Sequence, residues 1–211
     1  MKNIGLLLVS LLLTEFTLAQ EKVITPDLSK VKDSTIWALH GRNIIDIDPL
    51  HLSKGEEEDG LLWLKNFDFT NGTIEFDVKG RDVRGESFVG LALHGVDRSR
   101  FDVIYFRPFN FKSEEKKNNA IQYVSLPDFT WRKLREEHPG VYENAVTPVP
   151  DPEGWVHTKI VVNYPTIKVF LENSDEPTLV VDQLSKQKKG WIGFWVGSYS
   201  EGEFKNLKII K

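Results

Sequence analysis

Ser87 to Asn110 reads SFVGLALHGVDRSRFDVIYFRPFN and gathers side chains able to bind a polar ligand or move a proton. Its first run alternates, with Val89, Leu91 and Leu93 on one side and Phe88, Gly90, Ala92 and His94 on the other. Period two over a run of this length makes a strand with one buried face. Gly95 to Arg100 is a polar turn. The chain then returns through Phe101 to Pro108, with Ile104 and Phe106 on the core side and Tyr105 and Arg107 opposite. Paired strands lie about 4.8 Å apart and alternate side chains about 6.7 Å apart. His94, Tyr105 and Arg107 on one face therefore suffice to surround a single sugar ring. Arg107 offers a rigid fork of donors suited to carboxylates or vicinal hydroxyls; its other reading is a structural pair with Glu143 or Asp102. Small residues beside His94 leave space for a close approach, either by a ligand or by a crossing loop. Asn110, at the end of the hairpin, joins the candidate binding residues.

Trp191 to Gly197, WIGFWVG, repeats the pattern with different chemistry. Ile192, Phe194 and Val196 form the core face; Trp191, Gly193, Trp195 and Gly197 form the other. An indole among glycines on a non-core face suits the apolar face of a sugar. The competing reading packs Trp195 under the 110–153 excursion as a satellite core. Gln122, on a strand over Ala120 to Ser125, adds an amide to the same face. Tyr142-Glu143 supplies a carboxylate that could serve as a lone general acid or base, or lie in a solvated loop.

Several chemistries are excluded. The chain of 211 residues has no cysteine, hence no thiol nucleophile, disulfide framework or cysteine zinc site. Its five histidines, His40, His51, His94, His138 and His157, show no paired ligand spacing, so no catalytic transition metal is expected. There is no Gly-x-Ser-x-Gly elbow and no phosphate loop. A net charge of −4 without a basic block gives no footprint for nucleic acid or a membrane surface.

The elements that must position these groups are strands. Met1 to Ala19 has a basic start, an apolar run over Ile4 to Leu13 and small residues before Gln20, the pattern of a secretory signal peptide. That run is too short to anchor the chain in a bilayer. Its removal takes one basic and one acidic residue, Lys2 and Glu15, so the net charge stays at −4. The mature chain, residues 20–211, is read as one exported domain, secreted or periplasmic, with no membrane insertion after cleavage. Asn71-Gly72 signals a tight turn before an alternating strand over Thr73 to Lys79. Glu56 to Asp59 is a charged, solvated turn. Phe129 to Glu137 is a short helix or an ordered loop stopped by His138-Pro139-Gly140. Trp155 to Tyr164 and Thr166 to Glu172 form a second hairpin. About a dozen short strands without a long amphipathic helix predict an all-β, two-sheet antiparallel sandwich.

The runs Phe69 to Val78, Phe88 to Leu93, Gly190 to Gly197 and Gly202 to Leu207 resemble the concanavalin A-like lectin/glucanase superfamily over nearly the whole mature chain. The resemblance implies a jelly roll with one concave sheet and a carbohydrate partner. Nearest in pattern are exported bacterial proteins of the 3-keto-disaccharide hydrolase type; their Leu-Phe-Asp-Gly opening is replaced here by Ser34-Thr35-Ile36-Trp37. The glucanases of this superfamily carry Glu-x-Asp-x-x-Glu on one strand. Glu75-Phe76-Asp77 matches the first half, but Gly80 stands at the third position, so the acid/base is missing and the two carboxylates read as outward cross-strand partners. Gln122-Tyr123, Arg132 to Arg135 and Gly140 to Asn144 echo pieces of jelly-roll polysaccharide lyases, in a different order and with Val124 where those carry histidine. No cofactor is implied, although the superfamily's frequent structural calcium has candidate carboxylates at Asp46, Asp48 and Glu56 to Asp59.

Three functions follow. The first is an exported carbohydrate-recognising protein whose concave face carries His94, Tyr105, Arg107, Asn110, Gln122 and Trp195. The second is a glycoside hydrolase or other glycan-cleaving enzyme using Glu143 with His94 or Tyr142. The third is a structural or partner-binding exported domain whose second face is covered.

Overall fold

The structure, a computed structural model, describes residues 21–211; the expected leader lies outside the described residues. It is an all-β sandwich of two antiparallel sheets with one short helix. Most of the first sheet runs in the order β13 (Leu179–Asp182), β12 (Thr166–Leu171), β11 (Val156–Asn163), β6 (Gly72–Lys79), β15 (Gly202–Ile210), β4 (Leu50–Leu52) and β3 (Ile44–Ile47). The short β1 (Val23–Ile24) also pairs with β15. The second sheet runs β10 (Glu143–Asn144), β9 (Ile121–Leu126), β8 (Phe101–Phe106), β7 (Val89–Gly95), β14 (Trp191–Val196), β5 (Gly60–Leu64) and β2 (Trp37–His40). No helix of the described residues is long and apolar enough to cross a membrane.

Alternation sorts side chains into layers. Ile74, Phe76 and Val78 from the first sheet meet Leu91, Ile104, Phe106 and Phe194 from the second in one buried core. Phe194 stacks on Phe204, ring centroids 4.4 Å apart, so β14 and β15 are tied across the sandwich. The outward residues of β6 pair with their neighbours: Glu75 with Lys208 at 3.1 Å, Asp77 with His157 at 2.7 Å and Lys79 with Glu203 at 3.0 Å. Asn71-Gly72 is not a hairpin turn. It ends the crossover from β5 in one sheet to β6 in the other, where a side chain at Gly72 would strike the Ile210 carbonyl at 2.3 Å.

The second sheet is different because both its faces are apolar. Beyond the shared core, Leu61, Trp63, Ala92, Val103, Tyr105, Val124 and Trp195 form a second cluster on its outer side. The helix α1 (Trp131–Glu137) caps part of it with Leu134. Thr130 starts that helix, its hydroxyl accepting from the Lys133 amide.

Candidate functional site

Four candidate residues fall on one lateral row of the second sheet. The register pairs Glu143 with Gln122, Gln122 with Tyr105, Tyr105 with Gly90 and Gly90 with Trp195. Gly90 explains how two large rings meet: with no side chain between them, Tyr105 and Trp195 close to 5.0 Å between centroids. A Cβ at Gly90 would sit 2.1 Å from the Ile104 carbonyl. The small residue thus admits the neighbouring strand and an aromatic pair, rather than a loop.

Arg107 follows β8 and turns back over this row. Its Nη2 donates to the Tyr105 hydroxyl and to Gln122 Oε1, both at 2.5 Å, and its Nη1 donates to the Asn119 carbonyl at 3.0 Å. Tyr105 in turn donates to Gln122 Oε1 at 3.1 Å. Asn110 donates its amide to the same Asn119 carbonyl, fixing the loop that holds Arg107. Gln122 completes the network by donating to the Trp131 carbonyl at the start of α1. Arg107 is only 5% exposed, and no carboxylate of the described residues pairs with it. Neither structural partner expected for it applies: Glu143 is engaged by Arg135, and Asp102 lies on the core side of β8. Loss of water pushes the guanidinium below its ordinary pKa, opposed by Tyr105 and Glu143. Burial likewise pushes the Tyr105 phenol up, opposed by the positive charges of Arg107 and Arg135.

Above Tyr105, Arg107 and Trp195 lies a groove of about 550 Å³. One wall is Phe88 against Phe109, rings edge to face at 5.6 Å, with Arg84 and Lys116 at the rim. The facing wall is the start of α1, where Trp131 is 43% exposed and Arg132 and Arg135 lie over its ring. At the Trp195 end, Asp59 accepts from the indole Nε1 at 3.2 Å. Burial raises the Asp59 pKa, only partly offset by its bonds to Trp195 and Ser198 and by Arg42. The groove has the size of small-ligand sites, about 300–1,000 Å³. It offers exposed and half-buried rings for apolar ring faces, and donors between them.

The remaining candidates are placed elsewhere. Glu143 is buried on the same face but is held by two hydrogen bonds from Arg135 Nε and one from Nη2. It acts there as a counter-ion, outside the groove lining. Tyr142 precedes it and points the other way, its ring 5.9 Å from Tyr123. His94 is separated from Tyr105 and Arg107 by a β-bulge: three residues of β14, Trp191 to Gly193, span four of β7, Ala92 to Gly95. The extra residue reverses parity after Leu93 and gives His94 a φ of +49°. The imidazole consequently lies at the end of the inner layer, stacked on Phe69, with Nε2 donating to the Thr70 carbonyl at 2.9 Å and Nδ1 3.7 Å from Asp102. Asp102 accepts from the Ser185 hydroxyl there, and Tyr123 accepts from the Leu184 amide.

Two of the carboxylates considered for calcium, Asp46 and Asp59, are engaged within the protein. Asp46 accepts from the amides of Ile47 and Asp48, and Asp59 turns in to Trp195. Among the described residues no group of three or more His, Asp or Glu side chains is placed to hold a metal ion.

Asp59, Arg84, Phe109, Lys116 and Trp131 line the groove without having been among the sugar-binding candidates. They come from three loops and a helix start, where no strand alternation announces a face. Arg84-Gly85 and Lys116 look in sequence like any charged loop.

No family model matches the sequence, and no curated protein matches it. Solved structures do match in fold. The carbohydrate-binding module CBM66 from Bacillus subtilis superposes with a TM-score of 0.60 at 15% identity, covering 82% of this chain and 94% of that one. A Bacillus subtilis protein of unknown function with a galectin-like fold gives 0.58 at 16% identity, covering 86% and 90%. The VIP36 exoplasmic/lumenal domain, in its Ca²⁺- and Man3GlcNAc-bound form, gives 0.55 at 12% identity, covering 83% and 82%. At these identities the likeness is one of fold, the lectin-like jelly roll.

Proposed function

We propose that this chain is an exported carbohydrate-recognising protein that binds a glycan in the groove over the second sheet. The observation that carries the reading is the floor itself: Tyr105 and Trp195 packed with their rings tilted against each other, with Arg107 and its polar network beside them and Trp131 exposed at the rim. Rings flanked by fixed donors suit a sugar, which presents apolar C–H faces and a belt of hydroxyls. Two of the matched structures carry carbohydrate in their descriptions, CBM66 and glycan-bound VIP36, and both share this fold. The leader expected over Met1 to Ala19 supports a secreted or periplasmic location, where glycans are available.

The test is a glycan panel read by tryptophan fluorescence and calorimetry, with Trp131→Ala as the diagnostic variant. Trp131 is exposed, so its removal should leave the melting point within a degree or two while weakening binding about tenfold or more. A panel that yields no ligand for the parent protein would refute the reading in favour of a structural domain.

A hydrolytic reading, including the 3-keto-disaccharide type, draws on one observation. Asp59 is the only carboxylate among the lining residues, and its raised pKa is the property a general acid needs. The mechanism requires a second carboxylate across the bond, and Glu143 is committed to Arg135. Turnover of glycosides or 3-keto-glycosides that disappears in Asp59→Asn would favour this reading over binding alone.

A further inference from the structure

The groove carries positive charge that the protein does not neutralise. Arg84, Arg107, Lys116 and Arg135 line it, against the single carboxylate of Asp59. Arg135 is matched by Glu143. Arg84, Arg107 and Lys116 have no carboxylate partner among the described residues, although the chain as a whole has a net charge of −4. Asp59 spends one oxygen on Trp195 and lies near Ser198 and Arg42, at the opposite end of the floor.

Arg107 is the decisive group. Three of its five N–H donors are used, by the Tyr105 hydroxyl, Gln122 Oε1 and the Asn119 carbonyl. All three acceptors are neutral. The Nε hydrogen and one Nη1 hydrogen find no acceptor among the described residues. A nearly buried cation without a counter-ion is costly, and an anion seated beside it removes that cost. The guanidinium fork fits the paired oxygens of a carboxylate or sulfate. Walls of Phe88, Phe109 and Trp131 lower the local dielectric and strengthen the attraction.

We propose that the groove selects an acidic saccharide, a sugar carrying a carboxylate or sulfate group, and seats that oxyanion against Arg107. Arg84 and Lys116 at the rim attract it, while Trp195 and Trp131 take the ring faces. This rests on the glycan reading of the groove and adds the ligand's charge to it.

Two matched pairs of probes separate the sources of the oxyanion: tetragalacturonate with its methyl ester, and a sulfated galactan tetrasaccharide with its desulfated form. Binding is measured by calorimetry on the full-length mature chain. At least one acidic member should bind about tenfold or more tighter than its neutral partner. The preference should shrink as salt rises from about 0.05 M to about 0.5 M. Arg107→Gln should abolish it. Because that change also disturbs a buried network, the double variant Arg84→Gln, Lys116→Gln provides an independent reading. Both residues are exposed, so the fold should be intact and the preference reduced several-fold. Which acidic probe prevails assigns the group as carboxylate or sulfate. Neutral probes binding as tightly as acidic ones would overturn the proposal and leave glycan recognition standing. An acidic preference unchanged in both variants would place the charge readout elsewhere and also overturn it. Failure of all four probes would overturn it too, and the broader neutral panel would then decide the glycan reading separately.

Discussion

The outer faces of the two sheets start from the same alternating backbone and reach opposite ends. On the first sheet, Glu75, Asp77 and Lys79 project into water and pair with Lys208, His157 and Glu203. On the second, the equivalent positions hold Tyr105, Gln122 and Trp195, buried beneath α1 and the groove walls. Cross-strand charge pairs need no cover, because both members keep their hydration. A face of rings and amides does need cover, and loops from 80 to 88, 107 to 120 and 126 to 142 supply it incompletely. The unfilled part of that cover is the groove. A ligand site here is thus a gap in a satellite core rather than a separate cavity.

The sharpest way to break this comparison is along β8, where consecutive residues face opposite layers. Phe106→Ala empties a fully enclosed position in the core between the sheets. It should cost about 3–5 kcal/mol in denaturant unfolding. Arg107→Ala should cost less but not little, about 2–4 kcal/mol, because it leaves Tyr105, Gln122 and Asn119 short of a donor in a buried setting. At 5% exposure and with three acceptors, Arg107 contributes to stability as well as to the groove. An Arg107→Ala protein as stable as the parent would mean the network is solvated, and would place this face nearer to the first sheet's.

Alternation made most of the fold legible. It divided Val89 to Leu93, Phe101 to Phe106 and Trp191 to Val196 into the faces the structure shows, and it marked Glu75 and Asp77 as solvent-facing pairs. It failed at His94, because one inserted residue reverses the alternation over the end of β7 and no residue type nearby announces the bulge. Asp59 was hidden for another reason. In sequence it closes a run of glutamates and reads as solvated, whereas the strand that begins at Gly60 carries it inward to the Trp195 indole. Trp131 lay in a segment expected to cover the face; that the cover stops short of sealing it is a matter of packing, which no spacing encodes.

Asp59 gives the comparison a pH axis. Burial raises its pKa above the ordinary value of 3.8, so the folded chain holds this proton more tightly than the unfolded one. Stability linked to Asp59 is therefore fully present below its unfolded pKa and declines as pH rises through the folded value. Asp59→Asn should be relatively more stable at neutral pH than in acid, measured as the difference in melting point from the parent across pH 3 to 7. A constant difference would mean that Asp59 ionises as freely as a surface carboxylate.

The smallest effect is the most discriminating between the two faces. Glu75 and Lys208 are direct cross-strand partners beside a bulge in β15, with side chains 23% and 41% exposed. A double-mutant cycle with Glu75→Gln and Lys208→Met should give a coupling of about 0.2–1 kcal/mol. Because water and ions reach the pair, most of that coupling should vanish near 1 M salt, where the screening length falls to about 3 Å. The corresponding cycle on Arg107 and Gln122, using Arg107→Met and Gln122→Leu, joins groups 5% and 0% exposed at 2.5 Å. Its coupling should be the larger of the two and should barely respond to salt, since the bond is a charge-assisted one shielded from the solvent. Equal couplings that fall together with salt would show that the second sheet's outer face is as wet as the first's. The groove would then have no dry floor against which an anion could be held.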